Sequence, residues 1–186
     1  MNIIMEAAKY ADMAHGGQKR KYSNRPYIEH PGRVAARLTR DSYSSYCGGE
    51  NLIAAAWLHD VLEDCADVSH EGLSITFGRQ VADLVLEVTN PSKQFPDLPR
   101  HARKALDRDH LAGASHGAKI IKLVDRTDNL LDMLGADRDF KQLYLDETRL
   151  LYQRALRETS HQLEKEFNEA FDSLQASLDQ SLVKES

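Results

Sequence analysis

The 186 residues carry 29 acidic and 24 basic side chains, a net charge of −5, with 41% hydrophobic and 28% charged positions. That balance is ordinary for a globular domain with a core of its own, and it excludes a general phosphate-backbone binder, which needs a basic face. Two cysteines, Cys47 and Cys65, make no disulfide framework or zinc pair, and no run nears the roughly 20 apolar residues of a membrane span. The N-terminus lacks a basic lead and a cleavage site, so a reducing cytoplasm is the expected compartment.

Ile4, Ala7, Ala8, Ala11 and Ala14 recur at helical spacing, and Gly16-Gly17 end that helix. QKRKYSNRPYIEHP is a polar, basic loop, after which Pro31 suits the first turn of a helix carrying Val34, Ala35 and Leu38. Gly48-Gly49 break the chain before a helix expected from about Glu50 to Glu63, apolar all round between Leu52 and Leu58. Ser69 is placed to cap the next helix, and Gly78 separates it from another. Three of the five prolines fall within NPSKQFPDLPR, so residues 90–100 read as a loop. Helical patterning resumes near Arg100 and in GAKIIKLVDRTDNLLDML. A long, charge-rich amphipathic pattern then runs from about Asp139 to Leu182. The pattern contains no internal repeat and no convincing strand. The expected fold class is all-α: one domain over residues 1–186, with a motif-bearing core at about 3–134. A long C-terminal helical extension at about 139–182 is expected to cover that core or to build a homo-oligomer contact.

Chemistry concentrates in LHDVLEDCAD, residues 58–67, directly behind the apolar run. Burying an unpaired carboxylate costs several kcal/mol, and a cation would resolve that conflict. Residues four apart on a helix lie about 40° apart around its axis, so His59 and Glu63 share one face and Asp60 and Asp64 the next. Imidazole with carboxylate suits Mn, Fe or Zn better than Ca. Glu63 and Asp64, one turn on, are placed to act on water instead of ligating. A solvated helix end is the plainer reading of the same cluster. His30 in RPYIEHP offers a further ligand, or else caps a helix. Asp125 follows Ile120, Ile121, Leu123 and Val124, which draws it inside; Lys122 or Arg126 could simply pair with it. Asp128, three residues on, is a rival ligand on nearly the same face.

In this order, HGGQKRKYSNRPYIEHP, AAWLHDVLED and GAKIIKLVDRTDN resemble the motifs of the HD-domain phosphohydrolases. More narrowly they resemble the hydrolase domain of the RelA/SpoT group and its stand-alone members, the small alarmone hydrolases, from about Ala7 to Leu134. The segment FGRQVADLVLEVTN is also similar to that family's connecting segment. The resemblance implies an HD-type helical bundle with His30, His59, Asp60 and Asp125 around one divalent metal, usually manganese, which prefers Asp125 to Asp128. It implies that Glu63 and Asp64 position and deprotonate the water that attacks the 3′-pyrophosphate of guanosine tetra- or pentaphosphate. GDP or GTP and pyrophosphate would be the products.

It further implies that Arg20 stacks on guanine, with Lys19 and Lys21 beside it, and that Asn129 contacts the nucleoside. Ser23 and Tyr27 belong to the same substrate loop, and Lys93, Arg103 and Lys104 are candidates for the distal phosphates. Two residues depart from the family pattern. Asp128 stands where relatives usually have histidine or tyrosine, adding negative charge near the nucleoside, and Arg25 is added in SNRPYI. Both bear on base preference, so adenosine nucleotides with a 3′-pyrophosphate are alternative substrates. An HD phosphohydrolase for NADPH or nucleoside monophosphates is a rival reading. A non-catalytic alarmone sensor is another, against which the intact Glu63–Asp64 pair argues. About 50 residues follow Leu134, too few for a synthetase, so hydrolysis without synthesis is expected. The expected partner is a small-molecule nucleotide, with no nucleic acid and no membrane.

Overall fold

The structure, a computed structural model, describes residues 2–40 and 48–184. Ten α-helices follow one another among the described residues, with no strand beyond an isolated bridge between Lys19 and Pro26. Helix α1 (Ile3–Ala14) starts where the Asn2 side chain accepts from the Ile4 and Met5 amides, and it buries Ala7 and Ala11. Helix α2 (Glu29–Arg40) turns His30, Pro31, Val34, Ala35 and Leu38 inward.

Helix α3 (Gly49–Leu58) buries residues on every side, as its all-apolar run requires, and α1, α2, α6 and α8 pack around it. It stops at Leu58, and a separate short helix α4 (Val61–Asp64) follows His59 and Asp60. The single helix expected through Glu63 is therefore two, broken at the histidine–aspartate pair. Ser69 accepts from the Gly72 amide and starts α5 (His70–Phe77), and Gly78 joins it to α6 (Arg79–Val88). A 3₁₀ turn, Pro91–Gln94, occupies part of the proline-rich loop before α7 (Arg100–Ala112). Ser115 caps α8 (His116–Asp132), which buries ten residues including Asp125 and Asp128.

The C-terminal pattern divides as well. Helix α9 (Arg138–Leu151) runs into a π turn, Tyr152–Leu156, and the chain reverses through Glu158 at φ 62° before α10 (His161–Lys184). The Tyr152 ring stacks on Phe167 at 4.9 Å and its hydroxyl donates to Glu164, which fastens the reversal. Leu163, Phe167, Ala170, Leu174 and Leu178 of α10 are buried, and the helix packs on α8 and α9. The segment thus packs over the helices that carry the motifs. Cys65 packs with its thiol donating to the Ala14 carbonyl; Cys47 lies outside the described residues.

Gly78 sits at φ 85°, ψ 156°, a region essentially closed to side-chain-bearing residues, while a Cβ there would meet nothing within 4 Å. Its cost on substitution is thus backbone strain alone. Gly78→Ala should destabilise the chain by about 1–3 kcal/mol, read as a lower urea midpoint at unchanged m-value.

Candidate active site

His59 and Asp60 form the link between α3 and α4, and both keep right-handed helical backbone angles. On a regular helix His59 and Asp60 would diverge by about 100°. Their side chains nevertheless converge: His59 Nε2 and Asp60 Oδ2 lie 3.0 Å apart. His30 arrives from the first turn of α2, and its Nε2 is 3.2 Å from that of His59 and 3.5 Å from Asp60 Oδ2. Asp125 arrives from α8, its Oδ1 3.2 Å from His30 Nε2 and 3.7 Å from His59 Nε2. The ligand atoms of His30, His59 and Asp60 all fall within 4.8 Å of one another.

Ligands held about 2.1 Å from one ion are spaced roughly 3.0–3.4 Å along the edges of its coordination shell. The five separations here bracket that range, so the donor set fits a divalent cation. Each histidine is also oriented for it. His30 Nδ1 donates to Asp128 Oδ2 at 2.7 Å and His59 Nδ1 to the Ala56 carbonyl at 2.8 Å, which turns both Nε2 atoms toward the centre. Asp128, the rival ligand, supports His30 from behind instead.

The electrostatics say the same. Burial pushes the His30 imidazole down, but hydrogen bonds to Asp125, Asp128 and Asp60 outweigh it and raise its pKa to about 9. Burial likewise opposes charge on His59, and the Asp60 carboxylate and Asp125 more than reverse that. Burial raises Asp125, while Lys122 and the two histidines hold it well below the usual carboxylate range. Lys122 Nζ lies 3.0 Å from Asp125 Oδ2, so this ion pair exists together with the histidine contacts. These carboxylates draw positive charge into a place where His30 and His59 are 0% and 1% exposed.

Glu63 and Asp64 stand beside this centre on α4. Glu63 Oε1 accepts from the Asn90 backbone amide at 2.7 Å and from its side-chain amide at 2.8 Å. Burial raises the Glu63 pKa; Lys122 opposes this and Asp60 adds to it. A carboxylate raised in this way is better matched to accepting a proton near neutral pH. Asp64 accepts from Lys93 Nζ at 3.0 Å and, at 3.3 Å, from the Tyr27 hydroxyl, whose shorter bond goes to Asp60 Oδ2 at 2.6 Å.

A cleft of about 410 Å³ opens over these groups. Arg20, Lys21, Tyr27 and Asn129 line it, together with Asp60, Glu63, Asp64 and Asp125. Arg20 is 8% exposed: its Nε donates to Asp132 at 3.1 Å and its Nη2 to Asn129 Oδ1 at 2.7 Å. Asn129 Nδ2 in turn donates to Asp125 Oδ1 at 2.5 Å. The Arg20 guanidinium lies 5.6 Å from the Tyr27 ring centroid, and Lys21 Nζ sits over Tyr22 and Phe140.

Some expected residues fall elsewhere. Ser23 lines a neighbouring hollow with Arg25, Arg33 and Asp128, because the loop reverses at Asn24 (φ 56°) and turns its tip outward. Arg25 pairs with Glu29 at 2.8 Å. Asp128 does not line the cleft, so its charge is not presented to a nucleotide there. Lys93 and Lys104 line the cleft, whereas Arg103 donates to the Leu98 carbonyl. Asn90, Lys122, Arg126 and the wall of Tyr22, Phe140 and Tyr144 belong to the cleft without having been singled out as site residues. The asparagine before Pro91 carried only a turn signal, and the aromatic residues of α9 only a helical one.

A family model described as "HD domain" matches residues 7–159. The chain belongs to the HD-domain family. It is 38% identical to guanosine-3′,5′-bis(diphosphate) 3′-pyrophosphohydrolase MESH1 of Homo sapiens, over 70% of this chain and 69% of that one. The Xenopus tropicalis protein of the same name is 36% identical over the same shares. Among solved structures, one described as a metazoan ortholog of SpoT that hydrolyzes ppGpp superposes with a TM-score of 0.80. The two are 33% identical, and the match covers 96% of this chain and 97% of that one. No helix among the described residues is long and apolar enough to cross a membrane.

Binding of a cation here should stabilise the fold by mass action. For chelator-treated protein, Mn²⁺ at 100 times its Kd is expected to add about 2.7 kcal/mol, seen as a rise in melting temperature that EDTA reverses. A melting temperature unmoved by millimolar Mn²⁺ would remove the metal site.

Proposed function

We propose that this HD-domain protein hydrolyses the 3′-pyrophosphate of guanosine tetra- and pentaphosphate, yielding GDP or GTP and pyrophosphate. One observation carries this reading. Four donor atoms, from His30, His59, Asp60 and Asp125, converge beside the Glu63–Asp64 pair in the same cleft as Arg20 and Asn129. The relatives named for this activity support it.

His30, His59, Asp60 and Asp125 would hold one divalent metal, and manganese suits their mix of imidazole and carboxylate. When bound, that metal would supply Lewis-acid polarisation of phosphoryl oxygen and make water more acidic. Glu63, buried and braced by Asn90, takes the proton of the attacking water. Asp64 orients that water, with Lys93 holding its carboxylate in place. The water oxygen bonds to the inner phosphorus while the bond from that phosphorus to the 3′ oxygen breaks, and the 3′ oxygen gains a proton. No covalent enzyme intermediate is needed.

Arg20, clamped edge-on by Asp132 and Asn129, keeps the face of its guanidinium for the base. Tyr27 and Lys21 flank the nucleotide, and Lys93 with Lys104 meets the distal phosphates. A reducing cytoplasm suits both the free Cys65 thiol and a nucleotide substrate.

The deciding experiment mixes chelator-stripped protein with guanosine tetraphosphate, with and without Mn²⁺, and follows GDP and pyrophosphate. Mn²⁺-dependent release of both is expected, and no turnover with any divalent metal would overturn the reading. Glu63→Gln with Asp64→Asn should lower kcat by about 10²–10⁴-fold while Mn²⁺ affinity stays; an unchanged kcat would remove Glu63 as the base. Arg20→Ala should raise KM about 3- to 30-fold with little change in kcat, and an unchanged KM would end its stacking role.

A further inference from the structure

Asp128 lies three residues beyond Asp125 on α8 and is 2% exposed, yet it faces away from the cleft. Its Oδ2 takes the His30 Nδ1 hydrogen bond at 2.7 Å. Arg33, three residues after His30 on α2, closes a planar fork on the same carboxylate: Nε donates to Oδ1 at 2.7 Å and Nη2 to Oδ2 at 2.9 Å. His59 is anchored differently, with its Nδ1 on the neutral carbonyl of Ala56. The two imidazoles that face each other at 3.2 Å therefore have unequal supports.

A carboxylate behind an imidazole holds the proton on Nδ1, frees the Nε2 lone pair and makes the ring a more basic ligand. Such a carboxylate is costly to bury alone. The Arg33 fork offsets its charge in the bidentate geometry that suits guanidinium and carboxylate. Arg33 remains 38% exposed and also approaches Glu29 at 3.6 Å, so its own charge is not stranded.

We propose that Asp128, clamped by Arg33, is a positioning residue that orients His30 and strengthens it as a metal ligand, and so sets the cation affinity of the site. The proposal rests on the metal-site reading above. Asp128 acts through His30 and touches neither nucleotide nor cation. Arg33 acts one step further out, by making a buried Asp128 tolerable.

The test titrates Mn²⁺ into the chelator-stripped full chain and reads free Mn²⁺ by electron paramagnetic resonance. Wild type is compared with Asp128→Asn, Arg33→Gln and the double variant, each with its metal-free melting temperature. Asn keeps an acceptor for His30 and removes the charge, so it separates ligand strength from shape. Asp128→Asn and the double variant should bind Mn²⁺ about 10- to 100-fold more weakly, and Arg33→Gln within about threefold of wild type. The double variant leaves a neutral pair and carries the test should Asp128→Asn alone misfold against an unpaired Arg33. Wild-type Mn²⁺ affinity in the double variant, with only the melting temperature lowered, would make Asp128 structural and overturn the proposal. Equal losses in Arg33→Gln and Asp128→Asn would overturn it too. A wild type that binds no Mn²⁺ would overturn the metal-site reading itself, a different result because no affinity is then there to lose.

Discussion

Two imidazoles and two carboxylates meet where α2, α3 and α8 pack together, and much of the molecule is arranged around keeping them there. Bringing charge into that interior costs several kcal/mol for each unpaired ion, so every carboxylate near the centre has a cationic or hydrogen-bonding partner. Lys122 sits on Asp125, Tyr27 on Asp60, and Asn90 on Glu63. The apolar mass of α3, packed on all sides, anchors the pair that follows it. His59 and Asp60, between that helix and α4, bring their side chains into the same space.

The cleft and the centre are joined by one line of hydrogen bonds. Asp132 holds Arg20, Arg20 holds Asn129, and Asn129 holds Asp125. The group assigned to the base and a group assigned to the metal are thus fixed relative to each other through a single turn of α8. Tyr27 makes a second link, from the loop carrying Arg20 to Asp60 and Asp64. That loop, Glu63 and Asp64 thus line one cleft together.

Placing two residues of one pattern on opposite duties is also a product of packing. Asp125 and Asp128 are three apart on α8 and both buried, yet one faces the histidine Nε2 atoms and the other an Nδ1. The position of Arg33 on α2 accounts for the difference: it neutralises Asp128 where no metal would. Periodicity could name both as candidates but had no means to see Arg33 arrive from another helix.

Composition and hydrophobic spacing were enough for an all-α chain, because a 3.6-residue period is written locally and glycine, serine and asparagine mark the ends. They were enough, too, for His59, Asp60 and Asp125 as inward-facing polar residues, since each adjoins an apolar run that must be buried. Arg20 became a site residue, and His30 was preferred as a ligand over a helix cap, only through the resemblance of ordered motifs, which local patterning did not supply. The helix breaks at His59 and at Tyr152–Leu156 were not legible, because no glycine or proline marks them and tertiary contacts such as Tyr152 on Phe167 outweigh local propensity. Nor were Asn90 and the aromatic wall, whose roles depend on which helix faces which. Sequence by itself determined which side chains had to be buried; only the packing of helices distant in the chain decided which atoms meet, because convergence at 3 Å is a property of three helices at once and of none alone.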